Sequence, residues 1–480
     1  MGLFKRKDSR HSVQSDKDGD ESVVSVNSAR TSKTSLKSPG YKGGNHPASI
    51  PEMPIASPPD PALDPAAYLR SIHAVRQRAN LVMTRAKGNR LQHFDVDMSK
   101  FKATASYIVS IIKRDYAPDY QDIPPHGRWQ HFDVGGGPRI NQLLQSWPTS
   151  IDAQERTRRL IDLFVVSVLL DAGSGNKWSY RSKESGKVYS RSEGLAVASL
   201  EMFKSGLFSS DPTEPCQVDG AALKNITVEK LARGMQHSEQ NQLAGIEGRA
   251  GLLVRLSEAL NNQELFGVDA RPGNMLDYLL GHPSTLASSV PIVPVTTLWS
   301  VLMDGLASIW PPSRTQIDNV AIGDAWVCSV LPPSPPAAPW ESIMPFHKLT
   351  QWLCYSLMYR NGGLLIDMGL LTLKPHDLER GINAYRENAQ IKGQPNVEVV
   401  PLFSTDDDVI VEWRAVTVGF LDELLDEVNN QLGLSGTEEP LSLAQMLEAG
   451  TWKGGREIAE VSRPNTKEPP IMIRSDGTVF

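Results

Sequence analysis

The sequence predicts a mainly α-helical protein with one large domain behind a polar N-terminal tail. Three long stretches, 160–175, 245–260 and 295–310, are rich in apolar residues at helical spacing and end in or near Gly, Asn or Pro. The segments with strand character are short and suggest only small hairpins. This pattern indicates a stack of helices rather than an alternating α/β chain.

The tail is expected to cover residues 1–60, and the folded domain residues 61–480. Residues 1–60 are dominated by Ser, Lys, Asp, Gly and Pro. They hold too few large apolar groups to offset the roughly 1–2 kcal/mol per residue that is lost when a backbone is ordered. We therefore expect the tail to be disordered.

The segment 160–175 is apolar nearly all round, which predicts a buried central helix that ends near Gly173. Residues 179–192 alternate between polar and apolar around Glu-Ser-Gly and predict a small hairpin. Ser190 and Glu193 have the spacing of a capping box, so a new helix is expected to begin there.

Further helices are predicted in the second half of the chain. Pro345 is placed to open a helix over 346–358. Apolar residues at helical spacing predict another helix over 411–428. The last residues, 469–480, predict a short strand, an Asp-Gly turn and a second piece of strand.

Composition excludes several classes of function. The chain has 480 residues and a net charge of -6, which argues against coating nucleic acid or an anionic membrane. The three cysteines, Cys216, Cys328 and Cys354, are too far apart for a disulfide framework or a Cys-x-x-Cys metal site. No apolar run of about 18 residues is present to cross a bilayer. We expect a reduced, cytoplasmic protein.

The common catalytic signatures are also absent from the sequence. It contains no Gly-x-Ser-x-Gly, His-Glu-x-x-His, Walker or Gly-x-Gly-x-x-Gly motif. We therefore expect neither a metal ion nor a nucleotide cofactor.

Two carboxylates flank the central apolar helix. Asp162 lies near its start and Asp171 in its last turn, where the helix dipole penalises an anion by roughly 0.3–1 kcal/mol. Pairing with Arg158 or Arg159 would explain Asp162, and hydrogen bonds to the following Gly-Ser-Gly backbone would explain Asp171. A functional role is open for both.

Three further carboxylates have a structural and a functional interpretation. Glu193 fits the capping box, and Glu412 follows three Asp residues at a helix start, where it complements the dipole. Asp367 ends a short apolar run flanked by glycines, so a structural hydrogen bond and catalysis are both open.

A group of donors lies in the second half of the chain. His347 would act as an acid or base, or be a packed residue, and it shares a helix face with Gln351. The other donors would hold a phosphate or a planar urea-like group, or form ordinary ion pairs. They are Lys348, Tyr359, Arg360 and Arg414.

Eight blocks of sequence together carry a family resemblance. They are VVSVLLDAGSGNKWSY, SRSEGLAVASLEMF, GIEGRAGLLVRL, PFHKLTQWLCYSL, YRNGGLLIDMGLL, VEWRAVTV, GTWKGGREIA and SDGTVF. On these blocks the chain resembles the uracil catabolism protein 4 family of fungi and bacteria, from about residue 68 to residue 480. That family belongs to a pyrimidine-degradation route in which uracil is carried as a ribosyl compound, opened, and released as urea through a ribosylurea-type intermediate.

A fainter similarity suggests a fold and a site. The blocks PFHKLTQ, YRNGG and VEWRAVTV are similar, in order, to blocks of the queuosine salvage glycohydrolases. Those are helical proteins with a DNA-glycosylase-like architecture that cleave a base from ribose. The similarity implies that Lys348, Arg360 and Glu412 face the substrate and that the helix bearing Asp162 forms part of the pocket wall.

These resemblances imply a hydrolase that cleaves the N-glycosidic bond of a ribosylurea-type compound. Positive charge develops on the ribose as the C1′–N bond breaks, so a carboxylate would stabilise it or activate water while a donor holds the departing urea. The expected catalytic residues are Asp162, Asp367 and Glu412. The expected substrate-binding residues are Glu193, His347, Lys348, Gln351, Tyr359, Arg360 and Arg414. The ligand would be a small ribosyl or pyrimidine-derived molecule, without metal, cofactor, nucleic acid or membrane.

One departure from the family keeps an alternative open. In the family a further stretch of about twenty residues, long for a connection, precedes YRNGG and ends in an acidic residue. Here Met358 runs directly into Tyr359. A non-catalytic subunit or scaffold of the same pathway, with pathway proteins as partners, is therefore a second expectation. An amidohydrolase-like enzyme is disfavoured because metal-ligand spacing is absent.

Overall fold

The computed structural model describes residues 57–175, 177–287, 292–331, 338–354, 359–387, 398–475 and 477, without the side chains of 353–362. Ala56–Phe480 form one compact unit. Residues 1–56 of the predicted tail lie outside the described residues, so the disorder and the boundary at residue 60 stay predictions.

The described chain is mainly helical with small β elements, which confirms the predicted fold class. The helices are α1 (Pro65–Arg70), α2 (Ile72–Lys87), α3 (Phe101–Tyr116), α4 (Arg128–Phe132), α5 (Arg139–Ser146), α6 (Ala153–Leu169), α7 (Arg191–Lys204), α8 (Gly220–Lys224), α9 (Val228–Gly234), α10 (Ile246–Ala259), α11 (Gln263–Phe266), α12 (Met275–Gly281), α13 (Pro283–Leu286), α14 (Val295–Gly305), α15 (Lys348–Cys354), α16 (Tyr359–Asp367), α17 (Pro375–Glu387), α18 (Asp408–Leu432), α19 (Leu443–Met446) and α20 (Trp452–Ser462). In the described ranges, no helix is long and apolar enough to span a bilayer.

The strands pair in twos. They are β1 (Phe94–Val96), β2 (Ser179–Arg181), β3 (Val188–Ser190), β4 (Gln316–Ile317), β5 (Val320–Ala321), β6 (Ala325–Val327), β7 (Ile343–Pro345), β8 (Leu371–Leu373), β9 (Leu402–Ser404) and β10 (Met472–Arg474). The predicted hairpin is β2–β3, and β1–β8, β4–β5 and β6–β7 are also antiparallel. β10 lies parallel to β9, with Met472 opposite Leu402. The predicted second piece of strand after the Asp-Gly turn, residues 478–480, lies outside the described residues.

The two largest buried apolar clusters form the core. One is built mainly on α6, α7 and α10, and the other on α2, α3 and α18. α2 and α18 approach closely at Gly419, where a Cβ would lie 2.7 Å from the Cβ of Met83. The apolar spacing that predicted α6 and α18 is therefore the spacing of their buried faces.

One predicted helix end is wrong, and one helix begins where it was predicted but without its predicted cap. The central helix α6 ends at Leu169, because the backbone N–H of Leu170 already closes the last turn, so Asp171 lies just beyond the helix. At the start of α7, the side chain of Ser190 makes no capping hydrogen bond. The predicted capping box does not form because Glu193 instead pairs with Arg456.

The predicted helix start at Pro345 is also wrong. Pro345 is the last residue of β7, and α15 begins at Lys348. The turn between them is held by Asp324, whose carbonyl oxygen accepts the N–H groups of Phe346 and His347 at 2.8 and 3.1 Å. His347 adopts a positive φ of 47°, which bends the chain before the helix starts.

A π-helical turn, Leu447–Thr451, joins α19 to α20. It packs tightly against α3, since a Cβ at Gly450 would lie 2.5 Å from Cγ2 of Ile108. π-Turns often occur at functional sites because they reorient the side chains that follow them. Here the next residue is Trp452, which lines the cavity described below.

Candidate active site

A cavity of about 570 Å³ lies between helices of the two core clusters. Its walls come from α4, the loop after α6, the first residues of α7 and α10, and from α15, α18, α20, β9 and β10. Its volume lies within the range of small-molecule sites, about 300–1,000 Å³. Charged and aromatic side chains line it together, and several of them were not among the residues predicted from the sequence.

The buried acid of the cavity is Asp171. Its Oδ1 lies 2.7 Å from Nη1 of Arg128, and both side chains are buried. Arg128 also donates to Oγ of Ser167 at 2.8 Å and to the carbonyl oxygen of Ser192 at 3.2 Å, so its position is fixed. Burial raises the pKa of Asp171, and the charges of Arg128 and then Lys348 oppose that shift.

Two predicted cations line the cavity, and one carboxylate contacts the guanidinium of the first and the backbone of the second. Arg414 donates to Oδ1 and Oδ2 of Asp324 at 3.1 and 2.7 Å, and its guanidinium lies 3.9 Å from the ring centroid of Phe346. The backbone N–H of Lys348 donates to the same carboxylate at 3.1 Å. The structure therefore brings Lys348, Arg414 and Asp171 to one cavity.

Four aromatic rings form a cluster beside these charges. Trp352 stacks on His126 with a centroid distance of 5.4 Å, and His131 lies 5.3 Å from both Trp352 and Trp452. The guanidinium of Arg456 covers the Trp452 ring at 3.7 Å. All five residues line the cavity. Such a surface excludes water and offers flat faces and ring edges to a planar ligand.

The predicted catalytic residue Asp162 does not line the cavity. It is fully buried and accepts hydrogen bonds from Nε of Arg271 and from the backbone N–H of Gly273, both at 2.7 Å. Burial raises its pKa to about 6 in spite of the Arg271 charge. The expected partners, Arg158 and Arg159, instead bind other carboxylates. Asp162 therefore joins α6 to a neighbouring loop.

Glu412 and Asp367 are likewise held away from the cavity. Glu412 accepts the backbone N–H groups of Gln92 and His93 at 2.7 and 2.8 Å, and burial raises its pKa. Asp367 forms two hydrogen bonds, of 2.9 and 2.6 Å, with Arg463. Both carboxylates connect segments that are distant in sequence, a role that the flanking residues alone do not reveal.

The other predicted binding residues have mixed positions. His347 is fully buried, contacts the carbonyl oxygen of Leu69 through Nε2 at 2.7 Å, and has a pKa lowered by burial. Gln351 donates to the carbonyl oxygen of Phe346 at 2.6 Å. Neither lines the cavity. Glu193 reaches its edge by pairing with Arg456. The side chains of Tyr359 and Arg360 lie outside the described residues.

Sequence reasoning missed several residues of the site. Arg128 and His131 lie three residues apart on the short helix α4, so they share one helix face, which was the available signal. Trp352, Trp452 and Arg456 lie inside blocks that carried the family resemblance but were not chosen. Within the described ranges, no three His, Cys, Asp or Glu side chains form a group able to hold a metal ion.

Comparison with known proteins places the chain in a family. A family model described as "Protein of unknown function (DUF1688)" matches residues 68–358 and 359–480. The chain belongs to this family. It is 42% identical over 446 residues to a Lachancea kluyveri protein named "Uracil catabolism protein 4", an alignment that covers 87% of this chain and 99% of the relative. It is also 42% identical over 437 residues to "Protein urg3" of Schizosaccharomyces pombe, with 86% and 98% covered.

These comparisons confirm the resemblance inferred from the sequence blocks, and they bear on the join before Tyr359. The two parts of the DUF1688 match meet between Met358 and Tyr359. The alignment with the Lachancea kluyveri protein has 446 positions, more than 87% of a 480-residue chain. That relative therefore carries residues that this chain lacks. The similarity to queuosine salvage glycohydrolases stays a prediction.

Proposed function

We propose that this protein acts in uracil catabolism by hydrolysing the N-glycosidic bond of a ribosylurea-type compound to urea and a ribose compound. The name of the Lachancea kluyveri relative supports the pathway. The observation that carries the reaction is a cavity in which Asp171, fixed by Arg128, lies with Lys348 and two tryptophans. The ligand is a small ribosyl molecule, and the protein works in the cytoplasm.

Asp171 supplies the catalytic carboxylate in this proposal. A carboxylate beside C1′ stabilises the positive charge that develops on ribose, and it accepts a proton from the water that attacks C1′. Arg128 orients the carboxylate and its charge favours the ionised form, whereas burial raises the pKa of Asp171. Asp171 replaces Asp162, Glu412 and Asp367 as the catalytic carboxylate because those three are engaged elsewhere.

Lys348 and Arg414 take the donor role. As the C1′–N bond breaks, its electron pair moves to the urea nitrogen, which receives a proton from the ammonium of Lys348. Asp324 holds the Arg414 guanidinium and the backbone of Lys348, so the Arg414 charge is preorganised. The proton that Asp171 takes from water restores Lys348, so the net reaction consumes one water.

The aromatic cluster binds the planar ureido group. Trp352 and Trp452 present apolar surface where a flat, uncharged group loses little hydration. Their rings also exclude water from the neighbouring charges, which strengthens the electrostatic interactions inside the cavity. This surface accounts for selectivity towards urea-like leaving groups.

The test is urea release by the purified full-length protein. We expect free urea and a ribose compound from ribosylurea, and loss of release in Lys348→Ala at an unchanged melting temperature. The matched control is Lys453→Ala, which removes the same charge from an exposed ion pair with Asp115 outside the cavity. If pure, folded protein releases no urea from ribosylurea or its phosphorylated form, the hydrolase proposal fails.

The join at Tyr359 favours a second candidate, a non-catalytic subunit of the same pathway. The family match is divided at this join, and α15 with Lys348 and Trp352 ends only a few residues before it. A chain that lacks family residues beside its cavity would bind ligand without turning it over. Ligand binding by calorimetry without urea release, together with a stable complex with a pathway enzyme in gel filtration, would establish this alternative.

A further inference from the structure

One end of the cavity carries three cations. Arg191, Arg456 and Lys467 line it, and Nη2 of Arg191 donates to the carbonyl oxygen of Lys467 at 3.0 Å. Arg191 and Lys467 both adopt positive φ values, 57° and 56°, which are uncommon for residues with side chains. The backbone therefore holds cations together in conformations that cost free energy.

Carboxylates lie beside two of these cations. Glu193 pairs with Arg456, Glu460 lies 3.8 Å from Lys467, and Glu468 also lines the cavity. Arg191 has no carboxylate within ion-pair distance among the described residues. Burial lowers the pKa of Arg456, Glu193 opposes this shift, and the Arg191 charge lowers that pKa further. Like charges that crowd in this way are stabilised by a bound anion.

The start of α7 adds a second source of positive potential. α7 has 14 residues, and its N-cap residue Ser190 gives the first turn no side-chain hydrogen bond. The first N–H groups of a helix have no intrahelical acceptor, and the helix dipole adds partial positive charge there. Arg191 and Ser192, the first two residues of α7, both line the cavity. A helix start combined with arginine side chains is typical of phosphate sites.

This end of the cavity lies close to the candidate catalytic carboxylate. Nη1 of Arg128 is 2.7 Å from Asp171 Oδ1 and 3.2 Å from the carbonyl oxygen of Ser192, so one guanidinium nitrogen bridges them. The start of α7 and the Asp171 carboxylate therefore lie close enough for one ribose to contact both.

We propose that Arg191, Arg456 and the start of α7 bind a phosphate group, so that the substrate is a ribosyl compound that carries a phosphate. This inference rests on the proposed function, because it assumes that the ribose occupies this cavity. It assigns the anion to Arg191 and Arg456 rather than to Lys348 and Arg414, which are left to contact the leaving group.

Calorimetry with ribose 5-phosphate, ribose and inorganic phosphate tests the site on the full-length protein. We expect ribose 5-phosphate to bind about 10- to 100-fold more tightly than ribose, as charge-assisted hydrogen bonds predict. Arg191→Asn removes the charge while tolerating positive φ, and it should abolish that difference without weakening ribose. Arg191→Lys should keep part of it. Arg233→Ala, on the exposed end of α9, is the charge-matched control and should change nothing.

Three outcomes would overturn the inference. They are equal affinity for ribose and ribose 5-phosphate, no effect of Arg191→Asn in folded protein, and Arg191-dependent binding of inorganic phosphate in a protein that does not bind ribose 5-phosphate. Urea release from phosphorylated ribosylurea with the same kcat/KM in wild type and Arg191→Asn would also overturn it and leave the proposed function standing. Arg191-dependent binding of ribose 5-phosphate without urea release from either compound would support this site and contradict the hydrolase.

Discussion

Arg414 and Asp324 form a buried ion pair that joins α18 to the turn before α15, through hydrogen bonds of 3.1 and 2.7 Å. Asp324 also accepts the indole N–H of Trp326 at 2.6 Å and the backbone N–H of Lys348 at 3.1 Å. Burial raises the pKa of Asp324, but Arg414 more than offsets this effect and holds the pKa well below its usual range. One carboxylate thus positions the Arg414 guanidinium and the backbone that carries Lys348.

Replacement of this carboxylate should be costly. We expect Asp324→Asn to lower the free energy of unfolding by about 3–5 kcal/mol, because it leaves the Arg414 charge buried without a counter-ion. Urea denaturation at pH 7 measures the loss. Asp277→Asn, which breaks the exposed pair with Arg158, should cost less than about 1 kcal/mol. A double variant with Arg414→Gln should lose less than the sum of the single variants, and strict additivity would contradict the coupling.

Asp171 and Asp162 offer a second test, since both are buried but only Asp171 lines the cavity. Asp171→Asn should lower kcat for urea release by roughly 100-fold or more, a loss typical of a removed acid–base group. Asp162→Asn should destabilise the fold, because Arg271 loses its partner, yet leave kcat per folded molecule nearly unchanged. Steady-state kinetics corrected for the folded fraction by circular dichroism compares them. A large loss of kcat in Asp162→Asn with little loss in Asp171→Asn would show that Asp162 is the catalytic carboxylate.

The helices were predictable because their signal is local. In α6 and α18 the apolar residues recur at helical spacing and form the buried face. Each segment contains enough of them to predict a helix without information from the rest of the chain. Helix ends were less predictable, since they depend on contacts from elsewhere. Asp324 decides where α15 begins, although it is distant in sequence.

The site was only partly predictable for the same reason. Lys348 and Arg414 were identified by residue type, and both line the cavity. The partner of a buried acid is set by the tertiary fold, so the pair of Asp171 with Arg128 could not be found from spacing. For Asp162 the spacing was misleading. The adjacent arginines pair with other carboxylates, and Asp162 pairs with Arg271, which is distant in sequence.

His93 predicts how stability changes with pH. Its ring bridges Asp377 and Asp408, at 3.0 and 2.8 Å. Burial lowers the pKa of His93, but these carboxylates and Glu412 more than offset that effect and raise it to about 9. The folded state therefore holds a proton that the unfolded chain loses near pH 6.5. This contribution is complete below pH 6.5 and is lost as pH rises through 9.

Denaturation across this pH range measures the effect. Stability should fall by about 1–3 kcal/mol between pH 6.5 and 9, and His93→Gln should flatten the profile in that window. An unchanged slope in the variant would show that His93 is not the group that titrates.

Gly450 tests whether the π-turn before Trp452 depends on close packing. A Cβ at this position would lie 2.5 Å from Cγ2 of Ile108 and 3.1 Å from Cδ1 of Ile112. We expect Gly450→Ala to cost about 1–3 kcal/mol, because α3 must move to admit the methyl group. Gly127→Ala, where nothing lies within 4 Å of the added Cβ, should change stability by less than about 0.5 kcal/mol.

Urea denaturation of both glycine variants gives the comparison. Ile108→Ala removes the Cγ2 that the added methyl group would meet, so it should partly rescue Gly450→Ala, measured as a loss in the double variant that is smaller than the sum of the two single losses. Rescue of stability together with substrate affinity would show that the packing of the π-turn against α3 positions Trp452 in the cavity. If Gly450→Ala is as stable as wild type, α3 can shift without loss of stability, and the geometry of the π-turn does not depend on this close packing.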